Sequence, residues 1–175
     1  DTGDASYRLI EDGDTSRYTS AQAFHDNVMN PALPGPYKFM EKVIDEIIAM
    51  YNEAGAPLTA IHIGGDEVPR GAWNGSPSAL ALIEKENLGG EKGLHAYFVR
   101  QLAKILSQRG VKMNGWQEIA VGHTPEYNAE ISPLVGGVNC WSTLPSHGHG
   151  GVTRDAVNAG YPIILSNVNH FYLDM

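Results

Sequence analysis

Two adjacent carboxylates, Asp66 and Glu67, close the stretch "LTAIHIGGDEVP" from Leu58 to Pro69. An apolar run climbs into Gly64 and Gly65, breaks on the acids and is stopped by a proline. Neighbouring carboxylates repel each other, so burial raises the pKa of at least one of them unless something compensates, and a carboxyl held protonated near neutral pH can serve as a general acid. Side chains of neighbouring strand residues point to opposite faces, but beyond two glycines the backbone has the freedom to bring both acids to one cavity. A solvated Asp-Glu turn before proline is the plainer alternative.

The elements around the acids follow one grammar. From Pro36 to Ala54, apolar residues from Phe39 to Tyr51 recur at helical spacing, and Gly55 stands where a helix stops. The strand 58–65 follows, its apolar character predicting burial on both faces. A second helix is predicted over 94–109, ended by Gly110, then a strand over 111–116. A strand over 135–141, a short helix over 153–159 before Gly160 and a strand over 161–167 complete the series. Helices alternating with apolar strands predict an α/β fold with a parallel sheet, here one domain over residues 1–175.

Polar or aromatic residues gather where each strand ends. Asp66 and Glu67 close the first strand, Trp116, Gln117 and Glu118 the second, Cys140 and Trp141 the third, and Asn167 and Asn169 the last. In parallel α/β folds ligands bind at that carboxyl edge. Strand ends also become polar merely by meeting water, which accounts equally well for Gln117, Glu118, Asn167 and Asn169. It accounts less well for two tryptophans and a pair of acids.

Composition narrows the partners. Twenty acids against twelve bases give a formal charge of -8 with no basic cluster, which argues against nucleic acid or an anionic membrane surface. No apolar run approaches the roughly 20 residues that span a bilayer. The 42% hydrophobic content supports a packed core. The single cysteine, Cys140, excludes an internal disulfide framework.

Three chemistries compete for the acid pair. Diguanylate cyclases also carry Gly-Gly-Asp-Glu, but on a β-hairpin with an upstream metal-binding segment that has no counterpart here. A hard-cation site from His62, Asp66 and Glu67 is sterically feasible, since His62 and Asp66 share a strand face, but no second ligand cluster supports it. No metal and no cofactor is expected. Glycoside hydrolysis uses two carboxyl groups, with aromatic rings against sugar faces.

The longer pattern favours the third. "HIGGDE", "NGWQE", "CWS" and "FYLD", in that order at successive strand ends, together resemble the catalytic barrel of family-20 glycoside hydrolases, the β-N-acetylhexosaminidases. The lead-in "NPALPGPYKFMEKVIDEIIAMYNEAGAPLTAIHIGGDE" is most similar to the bacterial chitobiase-like branch. The resemblance implies part of a (β/α)8 TIM barrel, about strands 4 to 7 with their helices. It also implies substrate-assisted release of terminal N-acetylglucosamine from chitobiose or glycans, with the sugar's 2-acetamido oxygen as nucleophile. Glu67 then matches the general acid and Asp66 the residue orienting the acetamido group. Trp116 and Trp141 match walls of the sugar pocket, Tyr172 the hydroxyl on the acetamido oxygen, and Asp174 a nearby polar contact.

Other positions are expected to play lesser parts. His62 belongs on the substrate side, as a histidine buried and hydrogen-bonded in the barrel interior rather than a proton-transfer group. Trp73 is a candidate for a leaving-sugar subsite or for packing on its own loop. His147 and His149 in "SHGHGG" suggest a mobile glycine-rich loop rather than a metal site. Cys140 should pack against the barrel wall, and Asp12 and Asp14 should lie in a solvated turn. A closed barrel needs roughly 250 residues, so the chain is expected to be a central slice prone to self-association. The family's early arginine, aspartate and histidine, and its last tryptophan, have no match. The alternative is a catalytically silent fragment or sugar-binding module. By resemblance alone the compartment is periplasmic or extracellular.

Overall fold

In the computed structural model, residues 3–173 are described. They separate into two compact units, one of Asp1–Pro57 with Glu67–Leu102, the other of Leu58–Asp66 with Ala103–Met175.

The second unit contains a four-stranded sheet. Strands β1 (Ala60–His62), β2 (Lys112–Trp116), β3 (Val135–Cys140) and β4 (Ile163–Leu165) lie in chain order, and every neighbouring pair is parallel. All four carboxyl ends therefore fall on one edge. Parallel neighbours require a crossover, which explains the long segments between strands. The two inner strands carry the core, with Met113, Val138 and Cys140 fully buried. The fold is α/β, a parallel-sheet part of a (β/α)8 barrel.

Expected burial of the first strand on both faces is not observed: Ala60 and Ile61 are half-buried and His62 is exposed. The cause is position, because β1 has a neighbour on one side only in the described sheet. Ile164 and Leu165 on β4 are open for the same reason.

Glycines let the inner strands approach closely. A Cβ on Gly137 would lie 2.7 Å from the side chain of Ile164, and one on Gly136 would lie 2.8 Å from Asn114 Oδ1, beside the register shift at Met113/Asn114. Any larger residue would force strands or side chains apart.

In the first unit, α1 (Pro34–Glu53) begins with Pro at its first turn and gives way to Gly55 at φ +63°. Its spacing matches expectation, yet only Ile44 of its apolar stripe is fully covered, while Phe39, Met50 and Tyr51 are exposed. Periodicity fixes which residues share a face, not what packs on that face.

Helix α2 (Pro77–Lys85) was not expected, although Ser76 and Pro77 are strong start signals: Ser76 Oγ accepts the Ala79 N–H at 3.2 Å. The Glu11 carboxylate accepts hydrogen bonds from the Ser76 and Ser78 hydroxyls at 2.6 and 2.9 Å, placing negative charge at the helix start. Trp73, Ala72, Ala79 and Leu94 form a buried cluster in this unit. Helix α3 (Glu91–Gln108) is the second expected helix, three residues longer at its start, and is followed by Gly110 at φ +71°.

In the second unit, α4 (Pro125–Ile131) starts on a Thr124 cap, α5 (Val152–Asn158) matches the expected short helix, and α6 (Val168–Phe171) follows β4. Among the described residues, no helix is long and apolar enough to cross a membrane.

Candidate active site

The acids sit in a turn whose geometry the sequence dictates. After β1 the backbone passes through Gly64 at φ +75° and Gly65 at φ +93°, and Glu67 itself takes φ +48°. Only glycine enters that region freely, so the two glycines permit the turn and Glu67 is held in a sparsely populated conformation. Gly64 also anchors the turn to the next strand, its carbonyl accepting the Trp116 N–H at 2.9 Å.

Within the second unit, Asp66 is half-buried and follows the end of β1. His62 accepts the Gly64 N–H at Nδ1 (3.1 Å) and meets the Trp116 ring edge-on, with centroids 5.4 Å apart and planes at 75°. Desolvation on the strand lowers the His62 pKa below the ordinary imidazole range, against the charge of Asp66 and a hydrogen bond with Asn139, which both favour the proton. The expectation of a buried histidine is corrected: His62 is hydrogen-bonded but exposed.

Trp116 and Trp141 are half-buried at the ends of β2 and β3, on the same edge of the sheet as Asp66. Trp141 is bonded through both backbone and ring. Gln117 Oε1 accepts the Trp141 backbone N–H at 3.0 Å, and the indole Nε1–H donates to the Glu118 carboxylate at 3.2 Å to Oε1 and 3.4 Å to Oε2. By residue type Gln117 and Glu118 fit a site role and mere strand-end polarity equally well; the structure buries Gln117. In the loop beyond, Ser142 Oγ and His149 Nδ1 lie 2.5 Å apart.

Tyr172 is half-buried just past α6. Asp174 lies outside the described residues. Cys140 is fully buried, as expected, and burial pushes its thiol pKa up.

In the first unit, Glu67 is exposed and its Oε2 accepts a hydrogen bond from Gln22 Nε2 at 3.1 Å. Gln22 was not foreseen; it lies 45 residues earlier, beside Ala23 at φ +64°, and nothing local in the sequence marks it. Trp73 is 4% exposed and donates its indole N–H to the Met29 carbonyl at 3.0 Å. Its ring is spent on packing, which favours the packing alternative over a leaving-sugar subsite. Among the described residues, no group of three His, Cys, Asp or Glu is arranged to hold a metal ion.

A β-hexosaminidase from Vibrio vulnificus is 32% identical over 97% of the chain, which spans 20% of that relative. The N,N'-diacetylchitobiase of Vibrio harveyi is 30% identical, again over 97% of the chain and 22% of the relative. The chain thus spans about a fifth of the length of the curated relatives it matches. Among solved structures, a family-20 exo-β-N-acetylglucosaminidase from Vibrio harveyi, in complex with N-acetylglucosamine, superposes with a TM-score of 0.78 at 35% identity, over 95% of the chain and 23% of its own. A chitobiase from Flavobacterium johnsoniae gives 0.68 at 30% identity, over 86% and 21%. Residues 4–175 match glycosyl hydrolase family 20, catalytic domain, and the chain belongs to that family.

Proposed function

We propose that the protein to which this chain belongs is a retaining exo-β-N-acetylhexosaminidase that releases terminal N-acetylglucosamine by substrate-assisted catalysis. The observation that carries the reading is the meeting of Asp66, Trp116 and Trp141 at one edge of a parallel sheet, with Glu67 the next residue in the chain. The names of the family and its relatives support a hexosaminidase. N-acetylglucosamine bound to the Vibrio harveyi enzyme supports the sugar class.

In this mechanism the 2-acetamido oxygen attacks C1 and the glycosidic C–O bond breaks. Glu67 gives its proton to the departing oxygen, and an oxazolinium-like intermediate remains. Glu67, now a carboxylate, takes a proton from water as that water opens the ring at C1 with overall retention. Asp66 orients the acetamido N–H and stabilises the charge that develops on it. Adjacent acids suffice because one serves the leaving group and the other the neighbouring C2 substituent. Trp116 and Trp141 supply apolar surface and ring stacking. Tyr172 donates to the acetamido oxygen, so its loss should cost rate as well as affinity.

The test is hydrolysis of an aryl β-N-acetylglucosaminide by this chain and by a form extended to the length of its relatives, each beside Glu67→Gln. Turnover abolished by Glu67→Gln supports the reading. Turnover unaffected by that change overturns the mechanism, and sugar binding without release by the extended form points to a binding module.

A further inference from the structure

The two residues after Trp116 hold Trp141 from two directions. Gln117 is 4% exposed, and its Oε1 accepts the backbone N–H groups of both Trp141 and Ser142, each at 3.0 Å. Its Nε2 donates to the Ser142 carbonyl at 3.4 Å. Two N–H donors on one oxygen fix which way the amide faces. Glu118 takes the far end of the same residue, its carboxylate receiving the indole N–H.

The turn that presents both side chains is itself locked. Gln117–Ile119 forms a short 3-10 turn directly after β2, Ile119 is fully buried, and the Tyr127 hydroxyl donates to the Ile119 carbonyl at 3.1 Å. His123 Nε2 lies 3.0 Å from the Glu118 carbonyl. The clamp is therefore mounted on a fixed base.

We infer that Gln117 and Glu118 are positioning residues, Gln117 setting the backbone of Trp141 and Glu118 the plane in which its ring faces the N-acetyl sugar. The inference rests on Trp141 being a wall of the sugar site, as proposed above. A tryptophan anchored only at its backbone keeps two side-chain torsions, and a bond at Nε1 on the far rim removes both freedoms at once. The half-buried carboxylate receives the indole N–H at the rim of the ring, away from the backbone anchor. A ring held at both ends keeps its plane while the acetamido oxygen aligns with C1, and misplacement of about 1 Å costs rate steeply.

Gln117 is buried and makes three bonds, so its loss endangers folding; Glu118 carries the test. In the chain extended to the length of its relatives, Glu118→Leu is expected to lower kcat on an aryl β-N-acetylglucosaminide about tenfold, with a smaller change in KM. Glu118→Gln, which keeps an acceptor for the indole, is expected to recover most of that loss. A readout independent of turnover is the Trp141 indole ¹⁵N–¹H resonance, identified by its disappearance in Trp141→Phe. It should move upfield and exchange faster in Glu118→Leu but not in Glu118→Gln. An unmoved resonance, or a Glu118→Leu enzyme with wild-type kcat, overturns the inference alone. A wild-type enzyme without turnover overturns the proposed function and this inference with it.

Discussion

Gln22 donates from Nε2 to Oε2 of Glu67 at 3.1 Å, a contact between residues 45 apart in the chain. It orients the carboxylate proposed to deliver the proton. A hydrogen bond of this kind is worth about 1 kcal/mol net, or roughly fivefold in rate if it persists through the transition state. Gln22→Leu should therefore lower kcat/KM on an aryl β-N-acetylglucosaminide by about that factor. Equal rates would mean that the contact is released before proton transfer.

Glu67 occupies φ +48°, in the left-handed region. For a residue with a Cβ this costs on the order of 1 kcal/mol or more. Glu67→Gly is predicted to abolish turnover and yet raise unfolding stability by about 1 kcal/mol, measured by urea denaturation. A variant less stable than wild type would show that the Glu67 side chain stabilises the turn by more than its backbone strains it.

His62 titrates below its unfolded value of 6.5, chiefly through desolvation. Between the folded and unfolded pKa the unfolded chain binds more protons, so stability is full above the unfolded value and falls as pH drops through the folded one. Thermal midpoints measured from about pH 7 to about pH 5 should fall less steeply in His62→Asn than in wild type. A steeper fall in the variant would reverse the assigned direction of the shift.

Gly93 lies in the first turn of α3, where alanine would ordinarily favour the helix by about 1 kcal/mol. A Cβ there would stand 1.8 Å from the Leu88 carbonyl oxygen, which is backbone and cannot swing aside. Gly93→Ala is accordingly expected to destabilise, with a lower thermal midpoint by circular dichroism. A raised midpoint would mean that the 88–93 turn relaxes at little cost.

Much of this architecture was legible in the chain because it depends on near neighbours. Helical spacing over 36–54 and 94–109, and the glycines at 55, 110 and 160, mark helices observed at 34–53 and 91–108 and their stops, and each of those glycines adopts positive φ. The apolar runs of β1 to β4, joined by helical segments, imply parallel pairing, and parallel pairing brings Asp66, Trp116 and Trp141 to one edge. The starts of α2 and α4 were also written locally, in Ser76-Pro77 and Thr124-Pro125.

What only the tertiary structure decided concerns partners distant in sequence. Nothing near Gln22 announces Glu67, and nothing near Gln117 announces that its amide will bond the backbone of Trp141 and Ser142. Trp73 and Trp141 are chemically the same side chain, but the first is absorbed into a core with Leu94 and the second is clamped by its indole N–H on Glu118. Periodicity and φ preference are fixed by residues a turn or two apart. Burial and hydrogen bonding are fixed by whichever segments the loops bring together, so a strand-end glutamine reads as surface polarity until the next strand closes over it.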